Sequence, residues 1–166
     1  MVGPVTARIR ALPARAAVIL LALPAALVAL SALVALGACA SSNMLVGGNS
    51  NECINVPWHG YQVDGTPVVL LHCRGHRNQF WSIGNGQISG IGGGCLDVQG
   101  SSPVDGAPVI SVTCNGSPSQ QWTVANGQIV GIGGKCLDIQ GGNKSDRAPL
   151  IIAPCNGAPS QKWEVH

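Results

Sequence analysis

Between residues 87 and 130 hydrophobic and polar positions alternate over short stretches broken by glycine, proline and asparagine, a period-two pattern that predicts strands. Gln87 to Ile91 alternates polar and apolar, and Gly92-Gly93-Gly94 forms a turn that needs positive φ. Cys95 to Val98 is a short strand, and Ser101 to Gly106 is a loop closed by the turn pair Asp105-Gly106. Pro108 opens the next strand, where its missing N–H is tolerated, and Val109 to Thr113 continues it. Asn115-Gly116 turns the chain, and Gln120 to Val124 follows as a strand. Asn126-Gly127, between Val124 and Ile129, marks a two-residue type I′ hairpin, as does Asn85-Gly86 earlier.

The pattern repeats. Trp81, Trp122 and Trp163 are 41 residues apart, as are Gln79, Gln120 and Gln161, and Asp64, Asp105 and Asp146. Three copies, 44–85, 86–126 and 127–166, each supply about four strands. The expectation is therefore an all-β fold of about twelve strands with pseudo-three-fold symmetry. No copy carries enough apolar surface for a core of its own; three together do, and closing them on one another removes exposed sheet edges. Closure predicts that Met44-Leu45-Val46, which lacks a preceding partner, pairs with Val165-His166.

Upstream the pattern changes. Ala16 to Ala35 is apolar except for Pro24 and Ser31, and Arg8, Arg10 and Arg15 precede it. Leu36-Gly37-Ala38-Cys39 then resembles a bacterial lipobox. The resemblance implies a signal peptide over 1–38, cleavage before Cys39, lipidation of its sulfur, and a short linker over 39–43. Two or three acyl chains anchor stably, since each buried CH2 contributes about 0.8 kcal/mol. An uncleaved signal-anchor helix or plain secretory cleavage is the alternative. Each version places the rest of the chain outside the cytoplasm. Where the host has two membranes, Ala40 resembles the signal that permits the outer one.

Charge and cysteine content narrow the function. Beyond residue 39, six Lys and Arg stand against seven Asp and Glu, a net charge of −1 that argues against a nucleic-acid binder. Six cysteines remain after Cys39, and the repeat selects one of their fifteen pairings: Cys53–Cys73, Cys95–Cys114 and Cys136–Cys155. Each closes a loop of about 20 residues, stabilising by roughly 3 kcal/mol in the chain-entropy model, and requires an oxidising compartment. No cysteine pair has zinc-ligand spacing, so neither metal nor cofactor is expected.

The triplets Gln79-Phe80-Trp81, Gln120-Gln121-Trp122 and Gln161-Lys162-Trp163, with Cys95-Leu96-Asp97 and Cys136-Leu137-Asp138, resemble the ricin B-chain type β-trefoil lectins and related carbohydrate-binding modules. The resemblance covers about 123 residues, 44–166, and implies a β-trefoil that binds glycans. In that family the Asp of C-L-D binds sugar hydroxyls, an aromatic two residues before the second Cys stacks on the ring, and amides add contacts.

Carried over, the resemblance assigns Asp97, Asn115 and Gln120 in the second copy and Asp138, Asn156 and Gln161 in the third. The aromatic position holds Leu71, Val112 and Ala153, and the Asn before the Gln is Ser119 or Ser160 in the last two copies. The first copy has Asn55 for the Asp, Arg74 after its second Cys, and keeps Asn78 and Gln79. Asp97 and Asp138 can equally brace their loops against Gln120 and Gln161. Trp58 and Tyr61 are candidate sugar platforms, or else cover the open end of the barrel. His59, His72 and His76 read as solvated loop residues.

The sequence thus points to a non-catalytic, monomeric, lectin-like envelope lipoprotein that binds glycans or polysaccharide. The alternative is a trefoil that has lost sugar binding and serves as a structural or protein-interaction module. An enzyme is not expected: there is no G-x-S-x-G and no region outside the trefoil for a catalytic domain.

Overall fold

Strands of two to six residues, punctuated by Asn-Gly and Gly-Gly, favour sharp antiparallel reversals. The computed structural model describes residues 41–57 and 63–166. Their strands are β1 (Ser42–Gly47), β2 (Glu52–Asn55), β3 (Thr66–Pro67), β4 (Val69–His72), β5 (Phe80–Gly84), β6 (Gln87–Ser89) and β7 (Gly94–Val98). There follow β8 (Val109–Thr113), β9 (Thr123–Ala125), β10 (Gln128–Val130), β11 (Cys136–Ile139), β12 (Leu150–Ala153) and β13 (Trp163–Val165). The second copy holds β6 to β9 and the third β10 to β13; β3 is a two-residue addition to the first. The described residues hold 3-10 turns but no α-helix, and the fold is the all-β trefoil that the repeat predicts.

The chain closes on itself where expected. β1 runs antiparallel to β13, with Leu45 opposite Val165 and Gly47 opposite Trp163. Met44 N–H donates to the His166 carbonyl at 2.8 Å, and His166 N–H returns the bond to Met44 at 3.0 Å. β1 starts earlier than its predicted boundary. Ser42 and Asn43, expected in a linker, are strand residues paired with Ser82 and Trp81 of β5.

A second difference lies before each tryptophan. The predicted strand Gln120 to Val124 begins only at Thr123, because Pro118–Gln120 forms a 3-10 turn. Pro118 pre-sets φ for that turn. Trp122 N–H still donates to the start of its own copy, to the Gly86 carbonyl at 2.6 Å, and Trp163 N–H does the same to Gly127 at 2.9 Å. The Ile91 end of the Gln87 to Ile91 strand is likewise a 3-10 turn. The hairpin turns hold: Asn126 and Gly127 have φ of 53° and 71°, and Asn85 and Gly86 51° and 74°, as type I′ requires.

One core serves all three copies. Leu45, Ile54, Leu70, Ile88, Leu96, Ile129, Leu137, Leu150 and Ile152 are buried, with Trp81, Trp122 and Trp163 among them. Burial of each such aliphatic side chain contributes roughly 1.5–3 kcal/mol. Each indole N–H meets a carbonyl of its own copy, Trp81 to Ile54 at 3.0 Å, Trp122 to Leu96 at 2.9 Å and Trp163 to Leu137 at 3.1 Å. Gly131 lies flat on the Trp122 ring; a Cβ there would sit 2.6 Å from the indole.

At one end the copies form a ring. Gly65 N–H donates to Ser111, Gly106 N–H to Ile152 and Arg147 N–H to Leu70, so that each copy bonds the next and the third returns to the first. The Asp beside each donor adds a side-chain link. Asp64 Oδ1 accepts from the N–H and hydroxyl of Thr113, the latter at 2.9 Å, and Asp146 Oδ1 accepts from His72 N–H at 2.9 Å. Disulfides join Cys53 to Cys73, Cys95 to Cys114 and Cys136 to Cys155, each within a copy.

Candidate functional site

The C-L-D strands β7 and β11 bring Asp97 and Asp138 to the mouths of the loops that follow the second cysteines. In the second copy Gln120 is fully buried and acts as a clasp. Its Oε1 accepts from Asn115 N–H at 2.8 Å and Gly116 N–H at 3.2 Å, while its Nε2 donates to the Thr113 carbonyl at 3.1 Å and to Asp97 Oδ2 at 2.9 Å. The third copy repeats this. Gln161 Oε1 accepts from Asn156 N–H at 2.9 Å, and its Nε2 donates to the Pro154 carbonyl at 2.9 Å and to Asp138 Oδ2 at 2.8 Å. The structure thus unites Asp97, Asn115 and Gln120 in one cluster and Asp138, Asn156 and Gln161 in another.

The carboxylates are 6% and 9% exposed, so only an edge of each is open. Asp138 Oδ1 is buried and has no hydrogen-bond partner among the described residues. Leaving a buried acceptor unmatched costs about 1–3 kcal/mol. The side-chain oxygens of Asn115 and Asn156 are taken by local turns, accepting from Ser117 N–H at 2.8 Å and Ala158 N–H at 2.9 Å. Both residues are exposed at the rim.

The first copy solves the same packing differently. Gln79 keeps the clasp, accepting from Arg74 N–H at 2.9 Å and donating to the His72 carbonyl at 2.9 Å. Asn55, in place of the acid, instead accepts from Asn78 Nδ2 at 2.8 Å. Asn78 also donates to the Val56 carbonyl at 2.7 Å. An amide at 78 suits an amide at 55, so the carboxylate has no counterpart in this copy. In the second copy Ser119 occupies the equivalent of Asn78 and contacts the Ser101 and Ser117 hydroxyls, each at 3.0 Å.

Leu71, Val112 and Ala153 remain partly exposed on β4, β8 and β12, where the resemblance expects a ring. Trp58 and Tyr61 lie outside the described residues, as does Cys39. Among the described residues no three His, Cys, Asp or Glu side chains converge as a metal site would need. One acid is perturbed. Desolvation pushes the Glu52 carboxyl above its ordinary 4.5; the Asp146 charge pushes the same way and His72 opposes both.

The Gln is the hub of each cluster. The 41-residue period marks Gln79, Gln120 and Gln161 as equivalent, and the i−5 and i−7 backbone contacts show why: the side chain replaces a backbone ladder across an irregular loop.

Comparison with known proteins agrees with this architecture. Residues 41–163 match the family model described as the ricin-type β-trefoil lectin domain. No curated protein matches the chain significantly. Among solved structures, the designed three-fold symmetric protein ThreeFoil is 29% identical, with a TM-score of 0.69, over 75% of this chain and 96% of that one. An exo-β-1,3-galactanase from Clostridium thermocellum is 26% identical, with a TM-score of 0.67, over 75% of this chain; the match spans 30% of the galactanase. The C-half of an earthworm R-type lectin, solved with GalNAc, shares the fold at 15% identity and a TM-score of 0.66, over 75% of this chain and 97% of that one. With a family match across the whole trefoil and the Asp–Gln clasp repeated in two copies, the chain belongs to the ricin-type β-trefoil lectin domain family.

Proposed function

We propose that this protein is a non-catalytic carbohydrate-binding module of the cell envelope, made as a lipoprotein and held there by Cys39 after removal of residues 1–38. The observation that carries the binding reading is the pair of carboxylates, Asp97 and Asp138, that Gln120 and Gln161 each grip by one oxygen and that keep 6% and 9% exposure at the loop mouths. A sugar hydroxyl donating to the open edge of either carboxylate would form a charge-assisted bond. The two carboxylates stand in separate copies and offer two sites. Two weak sites on one monomer suit a repetitive polysaccharide, because the second contact becomes intramolecular. The GalNAc complex of the earthworm lectin is consistent with this ligand class.

A specific observation favours a second reading, a structural or protein-interaction trefoil. The three positions for a stacking ring hold Leu71, Val112 and Ala153. Without a ring the site forgoes about 0.5–1.5 kcal/mol of aromatic contact.

A glycan array on wild type and on the Asp97→Ala/Asp138→Ala double variant separates the two. Saccharide binding that vanishes in the variant supports the lectin. A wild type that binds no glycan supports the interaction module. For the anchor, Cys39→Ala should release the protein from membranes; membrane association that persists would overturn it.

A further inference from the structure

Away from the two Asp–Gln clusters, the seam between the first and second copies carries a surface that neither core packing nor the loop clasps require. Ser42 of β1 stands opposite Ser82 of β5, and Ser82 stands opposite Ser89 of β6. Directly opposed residues of adjacent strands share a face, so three hydroxyls form a row across three strands. Phe80 lies two residues before Ser82, on that same face. This row lines a concave space of about 370 Å3, which Arg77, Phe80 and Ile91 also border. Phe80 is partly exposed, and Arg77 is exposed with no salt bridge among the described residues. Ser89 Oγ approaches the Ser82 carbonyl only at 3.5 Å.

The molecule contains its own control. The pseudo-equivalent space between the second and third copies holds Pro118 for Arg77, Gln121 for Phe80, Thr123 for Ser82 and Val130 for Ser89. The fold therefore does not demand a cation, a ring or a row of hydroxyls at this seam. Their combination in one groove has the chemistry of a saccharide site: a flat ring for a C–H face, hydroxyls that donate and accept, and a guanidinium for an anion.

We propose that this seam groove binds a saccharide carrying an anionic group, a carboxylate or a phosphate, with Phe80 as the stacking platform, Arg77 as the charge partner and the serine row contacting sugar hydroxyls. The groove is separate from the Asp97 and Asp138 clusters and does not depend on the reading given to them.

The test is an NMR titration of the full-length chain in zwitterionic detergent, with trigalacturonate for the carboxylate, glucose 6-phosphate for the phosphate and neutral galactotriose as the control. Shifts at Phe80, Ser82 and Ser89 with at least one anionic probe, weakened about tenfold by Phe80→Leu or Arg77→Gln and unchanged in Asp97→Ala/Asp138→Ala, support the site. The two arms identify which anion is read, and binding should weaken with salt. Unchanged amide signals across the β1–β13 pairing verify the fold of each variant. No shift at these residues up to about 10 mM probe, equal response to the neutral sugar, or insensitivity to Arg77→Gln overturns the proposal. Loss of all binding in the Asp97/Asp138 variant would also overturn it, while leaving the lectin reading intact.

Discussion

Lys135 Nζ lies 2.6 Å from Asp105 Oδ1, occupying a role that Pro154 cannot fill. The repeat makes Asp105 the counterpart of Asp64 and Asp146, which accept backbone N–H groups from Thr113 and His72. The matching residue for Asp105 is Pro154, which has no N–H. The ammonium of Lys135 answers the carboxylate instead. Asp105 is 58% exposed, so this pair is worth at most about 1 kcal/mol. We expect Lys135→Ala to destabilise by about 0.5 kcal/mol. In a Pro154→Thr background, which restores a backbone donor, the same substitution should cost less. Urea denaturation of the four variants as a cycle measures it; equal costs in both backgrounds would refute the substitution of one donor for the other.

Gln120 offers a larger test. Its Oε1 accepts from two backbone N–H groups and from Gln87 Nε2, and its Nε2 holds the Thr113 carbonyl and Asp97. Gln120→Ala strands several buried groups at once, including the carboxylate that its amide partners. We expect a loss of about 3 kcal/mol or more, read as a lower urea midpoint. Asp97→Asn keeps the shape and removes the charge, and should cost much less while abolishing any sugar binding through that copy. Comparable losses for the two variants would mean that Asp97 is a brace and not a ligand group.

The trefoil was legible because its determinants are local and triplicated. Asn85-Gly86 and Asn126-Gly127 announce hairpins in any context, and the spacing of Trp81, Trp122 and Trp163 sets the period. The unpartnered Met44-Leu45-Val46 and Val165-His166 segments could then be matched by elimination, and they pair. The extent of the 3-10 turn at Pro118–Gln120 was not legible, since Gln120 itself also suits a strand; Pro118 presets φ at its start, and the contacts of the buried Gln120 side chain hold its end. The same holds for the candidate site. The pattern names Asp97 and Gln120, but only coordinates reveal that one oxygen of Asp138 is held and the other left bare. The serine row was hidden in part: the Asn85-Gly86 hairpin sets Ser82 opposite Ser89, but Ser42 joins them only through the pairing of β1 with β5, which no local pattern encodes.

Glu52 gives the stability a pH signature. Desolvation, with the Asp146 charge adding to it, raises the folded carboxyl above 4.5. The native state therefore holds this proton more tightly than the unfolded chain does. Below about 4.5 both states are protonated and the group costs nothing; as pH climbs through the raised value the buried charge develops, stability falls, and the loss is then complete. Glu52→Gln removes the titration. The variant should gain stability relative to wild type at pH 7 and lose that advantage at pH 4. Repeating the comparison in a His72→Gln background removes the opposing imidazole, whose Nδ1 lies 3.9 Å from Glu52 Oε1, and should enlarge the gain at pH 7. Denaturation midpoints at the two pH values decide it; a difference independent of pH would show that burial at Glu52 is relieved in solution.

The three disulfides should differ in reactivity although they close loops of nearly equal length, with separations of 20, 19 and 19 residues. Each cross-link is worth about 3 kcal/mol by loop closure, so thermodynamics alone gives no order among them. Access does. Cys53, Cys95 and Cys136 are fully buried, whereas Cys155 is exposed and Cys73 and Cys114 only partly so. A thiolate must reach a sulfur in line to exchange, and the exposed partner is its point of attack. Under limiting dithiothreitol with native protein, the Cys136–Cys155 bridge should open before Cys53–Cys73 and Cys95–Cys114. Alkylation at timed intervals followed by peptide mass spectrometry reads the order. First opening at either of the other two bridges would show that local unfolding of that copy, and not surface access, controls reduction.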